Sequence, residues 1–454
     1  QFMSWEAGST LIFWNWPESS QSTARDGFPP FIIGHLPTQK QVSTKVKQED
    51  KGQVLEKLLI YLNKGYLKLT PVHQINSFID YFPVPQGPTD ISLVFNGTSC
   101  GVNEALFASN FWLPMSGTMT RLLSFGYRVV DMDIGEMFLN FPLHKTLQPY
   151  SGVDLSPFKA ELKHLVPTKQ RGGSKLGATW TRLWFGMRQS PEHAAAFYYL
   201  ADEFIRGKHD DKNNPLRWDS IVLNLIGNKD YNPTFPNVYK WDNILKRIAG
   251  DIIAYVDDLR AIGFSMEQAW LIARRVASHL QYLGIQDAAR KRRLDEGPWA
   301  GGVYSTNNRT VTKSVTKEKW EKGRRLINDL IKEIGENFRK RLSYKRLERI
   351  RGFLCHLAMV YDVIFPYLKG FHLTLAQHLP RRDDDGWKLT DLDWIGHIEA
   401  KVDQGKYSRA EADILIHEVS GACKDAPSMV IPVPRFHKCL KVLDTFLQSD
   451  LPPT

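Results

Sequence analysis

Residues 252–263 read IIAYVDDLRAIG, in which two adjacent carboxylates, Asp257 and Asp258, stand between two short apolar runs. The flanks are rich in β-branched residues and the second run ends at Gly263, so the pattern predicts two strands with the aspartates at the tip of a tight hairpin. Neighbouring carboxylates repel each other, and a divalent cation such as Mg²⁺ relieves that repulsion. The alternative is an exposed turn, because Asp tolerates turn geometry.

A second acidic strand end lies upstream, in YRVVDMD at residues 127–133. This second acidic segment helps to decide between a metal site and an exposed turn, because two-metal phosphoryl chemistry needs a further carboxylate to bridge the ions. Between the two acidic segments, WFGMRQSP at residues 184–191 is predicted to form a turn that opens an apolar helix over residues 194–200. The three segments together favour a catalytic metal site over a simple acidic turn.

In order and content these segments resemble the palm motifs of reverse transcriptases. In that family an Asp is followed five residues later by an aromatic residue and nine residues later by Pro-Leu. Counting in this sequence selects Asp133, Phe138 and Pro142, whereas Asp131 fits neither spacing. Asp131 is the alternative ligand, or else a strand-end residue hydrogen-bonded to the backbone. Residues 97–106, GTSCGVNEAL, resemble a segment of the DIRS-like retrotransposon enzymes.

The resemblance implies an α/β (α+β) right-hand polymerase with fingers, a palm of antiparallel strands backed by helices, and a helical thumb. The implied activity is RNA-directed DNA synthesis by two-metal nucleotidyl transfer. Asp133, Asp257 and Asp258, together with Ile134, would hold two Mg²⁺ ions, for which Mn²⁺ can substitute. Asp258 is alternatively structural, because it points off the opposite face of the strand from Asp257.

The same resemblance assigns a nucleotide-binding set: Ile134, Phe138, Phe185 and Gly186. Phe138 would exclude the 2′-hydroxyl of a ribonucleotide. RNA-dependent RNA polymerases carry a second Asp at this position, so the aromatic ring favours DNA synthesis. The alternative is that Phe138 is a core aromatic residue. Phe185 could stack on the nucleotide or pack. Gly186 could let the backbone approach a template base or nucleotide, and it could equally precede a helix capped by Ser190, with Pro191 in the first position.

Later segments would bind the leaving group, primer and template. Lys291 is the best match for the residue that protonates departing pyrophosphate, although a phosphate contact or a solvated cluster explains it as well. A hairpin would hold the primer end, through Trp299, Gly301, Gly302 and Tyr304. A basic helix face would lie along duplex phosphates, through Lys345, Arg346 and Arg349; the alternative is an amphipathic helix with a solvated basic side.

Residues 81–95 are predicted to form a β-hairpin about a turn at 86–89, in the position of the family's fingers hairpin. Ser92 stands where the family has an arginine that grips the triphosphate, and Asn96 stands where an Asp is expected. A second interpretation is therefore a palm kept as a scaffold that binds RNA or protein. Template-independent nucleotide addition is a third interpretation, with the same motifs.

The chain has 454 residues, 43% of them hydrophobic and 12% aromatic, which suits two or three globular domains. Its 59 Lys and Arg against 49 Asp and Glu leave a net charge of +10, which suits a polyanion or simply solvated basic faces. The four cysteines have no metal-binding spacing. No run of 18 apolar residues and no signal peptide is present, which favours an intracellular protein that does not enter membranes. The expected partners are primed RNA or DNA templates and deoxynucleoside triphosphates; the oligomeric state stays open.

The predicted organisation has five parts. An N-terminal extension with the start of the fingers covers residues 1–70, the fingers 71–126, the palm 127–310 with an insertion at 205–250, the thumb 311–380 and a C-terminal connection segment 381–454. Regular structure is not expected within residues 1–50. Helices are predicted over 52–64 and 265–283 from their apolar stripes and terminal glycines.

Overall fold

A computed structural model describes residues 16–42, 46–86, 90–114, 116–166, 175–294, 297–307, 310–337, 339–417 and 426–453. Helices and strands are mixed along the chain, as expected for the predicted fold class. The chain divides into two compact units, the first made of Gln1–Pro114 and Gly126–Asp295 and the second of Met115–Phe125 and Glu296–Thr454. The finer division into fingers, palm and thumb stays a prediction.

The helices are numbered along the chain: α1 Glu18–Asp26, α2 Lys51–Asn63, α3 Val102–Ala105, α4 Ser116–Leu122, α5 Ser190–Arg206, α6 Met266–Tyr282, α7 Lys317–Ile334, α8 Tyr344–Ala358, α9 Lys369–Ala376, α10 Asp391–Asp403, α11 Arg409–His417 and α12 Pro434–Phe446. The strands are β1 Leu67–Leu69, β2 Asp80–Gln86, β3 Asp90–Asn96, β4 Arg128–Asp133, β5 Gly152–Asp154, β6 Gly177–Trp180, β7 Ser220–Leu223, β8 Val238–Asp242, β9 Arg247–Ile248, β10 Asp251–Tyr255, β11 Asp258–Gly263, β12 Arg293–Leu294, β13 Gly297–Trp299, β14 Gly302–Thr306, β15 Val311–Ser314, β16 Leu342–Ser343 and β17 Met429–Val430.

A four-stranded antiparallel sheet in the first unit has the strand order β10-β11-β4-β12. Because side chains alternate between the faces of a strand, Val130 and Met132 lie on one face of β4 and Asp131 and Asp133 on the other. The apolar face belongs to the core of the unit, and α6 packs against β4 and β11. The sheet therefore presents its acidic residues on the face opposite this helix.

Two helices of the first unit lie close to the positions predicted from their local sequence. The helix predicted over 52–64 is α2, which Gly65 follows with φ 71°. The helix predicted over 265–283 is α6, in which Ser265 Oγ accepts a hydrogen bond from the backbone N–H of Gln268 at 3.2 Å and Gly284 follows with φ 74°. Both glycines adopt the left-handed conformation that ends helices.

The expectation that residues 1–50 lack regular structure is wrong for α1. Pro17 precedes this helix, Glu18 lies in its first turn and Arg25 in its last, an arrangement that complements the helix dipole. Ala24 is buried, and Gly27 ends the helix with φ 84°. The aromatic and proline-rich surroundings hid a short helix with ordinary start and stop signals.

The insertion at 205–250 carries a small antiparallel sheet in the order β7-β8-β9. Residues 208–213 form an exposed loop within this insertion. The His209 ring stacks on Trp218 with ring centroids 4.4 Å apart, and its Nδ1 lies 2.9 Å from the Trp218 carbonyl oxygen. His209 therefore packs onto its own loop.

The second unit has its own helical core, in which α12 packs against α7 and α9, and α8 packs against the same two helices. Helices were expected within residues 311–380, and α7, α8 and α9 lie there. A strand pair joins Leu342 to Val430, so the segment after residue 426 belongs to this core. No helix in the described ranges is long and apolar enough to cross a membrane.

Candidate active site

The backbone positions of three aspartates are adjacent where β4 ends and β11 begins. Asp133, the last residue of β4, pairs directly with Asp258, the first residue of β11. Tyr255 also pairs with Asp258, so β10 and β11 form the predicted tight hairpin with Val256 and Asp257 as its turn. The carbonyl oxygen of Asp257 accepts a hydrogen bond from the backbone N–H of Ile134 at 2.8 Å, which holds the turn against the end of β4.

The hairpin turn needs an unusual backbone conformation. Val256 has φ 56°, in the left-handed region that β-branched residues rarely adopt. Strain of this kind persists only where the surrounding structure enforces it. Here the register of β10 with β11 and the hydrogen bond to Ile134 enforce it, so the position of Asp257 is specified by two independent constraints.

Lys291 lies within the same group, as the resemblance implied. Its Nζ is 2.8 Å from both carboxylate oxygens of Asp133. The carboxylate is largely buried, while half of the lysine side chain is exposed. The backbone N–H of Ala288 donates to the carbonyl oxygen of Asp133 at 2.9 Å, so the segment after α6 is tied to β4 through main chain as well as side chain.

Negative charge exceeds positive charge at this end of the sheet. Burial raises the pKa of Asp257, and Asp133 raises it further, against the opposing effect of Lys291. Burial together with Asp257, Asp133 and Asp131 raises the pKa of Asp258 to about 6, against the opposing effect of Arg293. The arrangement therefore favours an additional cation beside Asp257 and Asp258.

The donor set fits Mg²⁺, because hard divalent ions prefer carboxylate oxygens. The carboxylates of Asp133, Asp257 and Asp258 provide these donors, and burial is the main cause that raises the pKa of Asp257 and of Asp258. Among the described residues, however, no group of three or more His, Cys, Asp or Glu side chains is already gathered around one point. A cation would also compete with Lys291 for Asp133.

Asp131 has a different role from the backbone-bonded one considered above. Arg260, which is fully buried, donates to both of its carboxylate oxygens, from Nε at 2.6 Å and from Nη2 at 2.9 Å. The two residues are direct partners across β4 and β11, and Arg293 Nη2 lies 3.9 Å from the same carboxylate. Asp131 is thus engaged in a buried ion pair, which agrees with the choice of Asp133 as the ligand.

Arg260 is the residue of this site that the sequence reasoning missed. The signal was available, because an arginine within an apolar strand needs a buried partner. Arg260 shares a strand face with Asp258 two residues earlier, and Asp131 shares a face with Asp133 in the same way. The four side chains form two opposed pairs on one face of the sheet, Asp133 with Asp258 and Asp131 with Arg260.

Phe138 follows the site in a short turn whose other apolar side chains point inward. Met137, Leu139 and Phe141 are buried, whereas Phe138 is only half-buried. Its ring meets the exposed ring of Phe185 edge to face, with centroids 4.7 Å apart. The two predicted nucleotide-binding aromatic residues therefore lie together, outside the deepest part of the core.

The loop that leads from Asp133 to Phe138 is fixed by Glu136. This residue has φ 50°, and its Oε2 accepts from Lys64 Nζ at 2.9 Å and from Gln286 Nε2 at 3.3 Å. Gly135 is held from the other side, because its N–H donates to the Gln286 carbonyl oxygen at 2.9 Å. The position of the Phe138 ring is therefore set by polar contacts as well as by its own packing.

Gly186 is small for a reason that the sequence did not reveal. It has φ 103°, and an added Cβ would lie 1.8 Å from the carbonyl oxygen of Phe95 on β3. Asn103 Nδ2 also donates to the Gly186 carbonyl oxygen at 2.9 Å. Close packing on the neighbouring hairpin thus accounts for this glycine without a template base, and nucleotide contact stays a prediction.

The predicted helix start after Gly186 needs a correction. Helix α5 begins at Ser190 itself, with Gln189 as the preceding residue and Pro191 as the second helical residue. Ser190 Oγ does not cap the helix; it donates to the Trp184 carbonyl oxygen at 2.8 Å. The serine therefore stabilises the turn that contains Gly186.

The predicted hairpin at 81–95 is confirmed as β2 and β3, although residues 87–89 at its turn lie outside the described residues. Asn96 Oδ1 accepts from the backbone N–H groups of Thr98 and Ser99, each at 3.1 Å. Asn96 therefore forms the turn after β3. A local structural role explains the asparagine at this position.

The predicted primer-binding hairpin is formed by β13 and β14, but its aromatic side chains face inward. Trp299 and Tyr304 are 2% and 1% exposed and meet edge to face. An added Cβ on Gly302 would lie 2.8 Å from the Tyr304 hydroxyl. These three residues pack on one another, and a backbone contact to primer stays a prediction for exposed Gly301.

The predicted basic helix is α8, and its apolar stripe is confirmed because Leu347, Ile350, Leu354 and Leu357 are buried. Arg346 differs from the expectation, since its guanidinium forms an ion pair with Glu333 of α7. Lys345 and Arg349 are exposed. Contact of all three residues with duplex phosphates stays a prediction, and Arg346 would have to leave its ion pair with Glu333 to make one.

No protein-family model and no curated protein matches this chain. Similar solved structures are of the foamy viral protease-reverse transcriptase. The dRH form in complex with double-stranded DNA has 14% sequence identity and a TM-score of 0.49, and the match covers 97% of this chain and 60% of that one. The complex with RNA/DNA hybrid has 15% identity, a TM-score of 0.45 and coverages of 81% and 42%, and the complex with double-stranded DNA has 16% identity, a TM-score of 0.46 and coverages of 81% and 66%. The chain spans less than two thirds of these neighbours. At this level of similarity, function has to be argued from the site itself.

Proposed function

We propose that this chain is a nucleic-acid polymerase of the reverse-transcriptase type, which adds deoxynucleotides to a primer 3′-hydroxyl on an RNA or DNA template. One observation carries the proposal: Asp133 and Asp258 are direct partners across two strands, and Asp257 occupies the adjoining turn. Carboxylates brought together from two strand ends and left with surplus negative charge suit phosphoryl transfer. The motif resemblance supports the same chemistry.

The residues of the site would divide the work. Asp133, Asp257, Asp258 and the backbone of Ile134 would hold two Mg²⁺ ions, for which Mn²⁺ could substitute. Bound there, the metal lowers the pKa of the primer hydroxyl and balances charge on the departing pyrophosphate. The Lys291 ammonium, held at Asp133, would donate a proton to that leaving group.

A primer-extension assay tests the proposal directly. We expect labelled primer to be extended on an RNA or DNA template with Mg²⁺ or Mn²⁺, and no extension without template. Incorporation that is independent of template would replace the proposal with terminal nucleotide addition. Failure on every template and metal, by protein that still binds the primed template, would replace it with the scaffold interpretation.

The scaffold interpretation has specific observations in its favour. Asn96 is engaged in a backbone turn, and Ser92 stands where an arginine would grip the triphosphate. Lys291 also spans both oxygens of Asp133. A palm that binds nucleic acid without catalysis would tolerate all three features, so the extension assay decides between the two functions.

Phe138→Ala is expected to admit ribonucleotides while largely sparing the fold. The ring is half-buried at the margin of the core and contacts Phe185, which is 44% exposed. A fully buried phenylalanine costs about 3–5 kcal/mol of stability when truncated, and Phe138 should cost less. The measurement is incorporation of ribonucleotide relative to deoxyribonucleotide, together with the melting temperature, for wild type and variant.

Phe141→Ala is the matched control, because the same ring three residues later is fully buried and stacks on Phe197. It should lower the melting temperature strongly and leave nucleotide selection unchanged. If Phe138→Ala behaves like this control, Phe138 is a core residue. The argument for DNA over RNA synthesis would then fail.

A further inference from the structure

The second unit contains a basic cleft of about 740 Å³, formed by residues near the ends of α10 and α12 and by two connecting segments. Five of the described residues that line it are cationic, and one is a carboxylate, Asp384. The cations are Arg339, Lys401, Lys406, Lys438 and Lys441. This composition is unlike an ordinary apolar ligand pocket, and it selects for negative charge.

Lys401 is the most buried cation of the cleft, with its side chain 11% exposed. Its ammonium donates to the carboxylate of Asp384, a side chain that is itself 73% exposed. The hydrogen bond from Lys401 lowers the pKa of Asp384, and Lys406 lowers it further. The single carboxylate of the cleft therefore pairs with the buried Lys401. The other four cationic residues keep their positive charge, so the cleft is strongly positive.

The remaining cations are not balanced within the described part of the chain. There, Arg339, Lys406, Lys438 and Lys441 form no ion pair with a carboxylate at 4 Å or less. Lys438 and Lys441 lie three residues apart on the exposed face of α12, so their charges are neighbours and repel each other. An anion bound between them would relieve that repulsion.

Helix geometry adds to the positive field. Pro434, the first residue of α12, lines the cleft together with the first two turns of this thirteen-residue helix. The partial positive charge at a helix N-terminus favours negatively charged groups such as phosphate beside it. Ile431 and Pro432 line another part of the wall and provide apolar surface beside the charged groups.

We propose that this cleft binds successive phosphates of a single nucleic-acid strand. Cations from several chain segments surround a space larger than one phosphate needs, and the apolar wall accommodates sugars and bases without reading their sequence. The inference rests on the proposed function, because a polymerase supplies the strand. It assigns to the second unit a phosphate-binding site that none of the sequence motifs included.

The test is the salt dependence of binding to a fluorescent single-stranded oligonucleotide, measured by anisotropy without divalent metal or nucleotide. Lys438→Gln with Lys441→Gln removes two exposed charges and spares the buried face of α12. For single strands each lost contact reduces the slope of log affinity against log salt by about 0.7. We therefore expect a slope shallower by about 1.4 and an affinity roughly 25-fold weaker at 0.1 M salt.

Lys212→Gln with Lys229→Gln is the control, because both lysines are exposed on the insertion of the first unit and the net charge changes equally. An unchanged slope in the α12 variant, or an equal loss in the control, would overturn the proposal. Inorganic triphosphate that displaces the strand from wild type with comparable affinity would also overturn it, in favour of a small polyphosphate ligand.

The same assay separates this inference from the proposed function, because it requires no synthesis. If the wild type does not extend primers but the α12 variant loses affinity and salt dependence as expected, polymerase activity alone is refuted. If the wild type extends primers but the α12 variant binds the oligonucleotide as the wild type does, only the proposal that the cleft binds nucleic acid is refuted. Melting temperatures of both double variants should match that of wild type.

Discussion

Asp257→Asn is expected to abolish nucleotide addition and to leave the fold intact. The fold should survive because Asp257 holds Ile134 through its backbone carbonyl, which the substitution keeps. Burial and Asp133 already disfavour the charged side chain, so its neutralisation removes repulsion. Loss of a metal ligand should cost at least about a thousandfold in rate, or ~4 kcal/mol of transition-state stabilisation.

The measurement is single-turnover extension over a range of Mg²⁺ concentrations, with the melting temperature of each protein. Asp210→Asn provides the same chemical change on the exposed loop of the insertion and should have wild-type activity. A rate for Asp257→Asn within about tenfold of wild type, a loss of only ~1.4 kcal/mol, would remove Asp257 from the set of ligands.

Local patterns were sufficient for the elements that build the site. The β-branched flanks and Gly263 predicted the β10–β11 hairpin, and the acidic end of β4 predicted a third carboxylate beside it. These signals lie within a few residues of the features they predict. The family resemblance singled out Lys291 only as a proton donor to the leaving group, and its contact with Asp133 was not predicted, because no spacing within the sequence relates two residues 158 positions apart.

Contacts between distant residues explain most of the differences. Arg260 meets Asp131 across 129 positions, and Gly186 packs on the carbonyl oxygen of Phe95. Trp299 and Tyr304 are buried and their rings contact each other, although their segment has the small residues of a nucleic-acid contact. Residue type and periodicity predict which side chains need a partner, and only the packed chain shows which partner they have.

The α1 helix is a different case, because its signals were local. Pro17, Glu18 and Gly27 follow the ordinary pattern of a helix start and stop. The neighbouring aromatic and proline residues argued against regular structure and outweighed that pattern. In this segment the residues at the two ends of the helix predict it, whereas the aromatic and proline content does not.

Arg260→Met is expected to destabilise the first unit by about 3–5 kcal/mol, because it leaves the buried Asp131 carboxylate without its bidentate partner. Arg293, 3.9 Å away, offers weaker compensation. Asp131→Leu should cost a similar amount by removing the carboxylate that accepts two hydrogen bonds from the fully buried guanidinium. The double variant should recover much of the loss, because two apolar side chains in contact leave no charge uncompensated.

Chemical denaturation of wild type, both single variants and the double variant measures this coupling as a double-mutant cycle. Arg128→Met, at the exposed start of β4, is the control for removal of an arginine from the same sheet and should change stability by less than about 0.5 kcal/mol. Additive losses in the cycle would show that the Arg260–Asp131 pair does not hold the register of β4 and β11. Asp133 and Asp258 face each other in that register. A strongly coupled cycle, with activity restored in the double variant, would show that the buried pair serves the sheet and that the chemistry belongs to the neighbouring carboxylates.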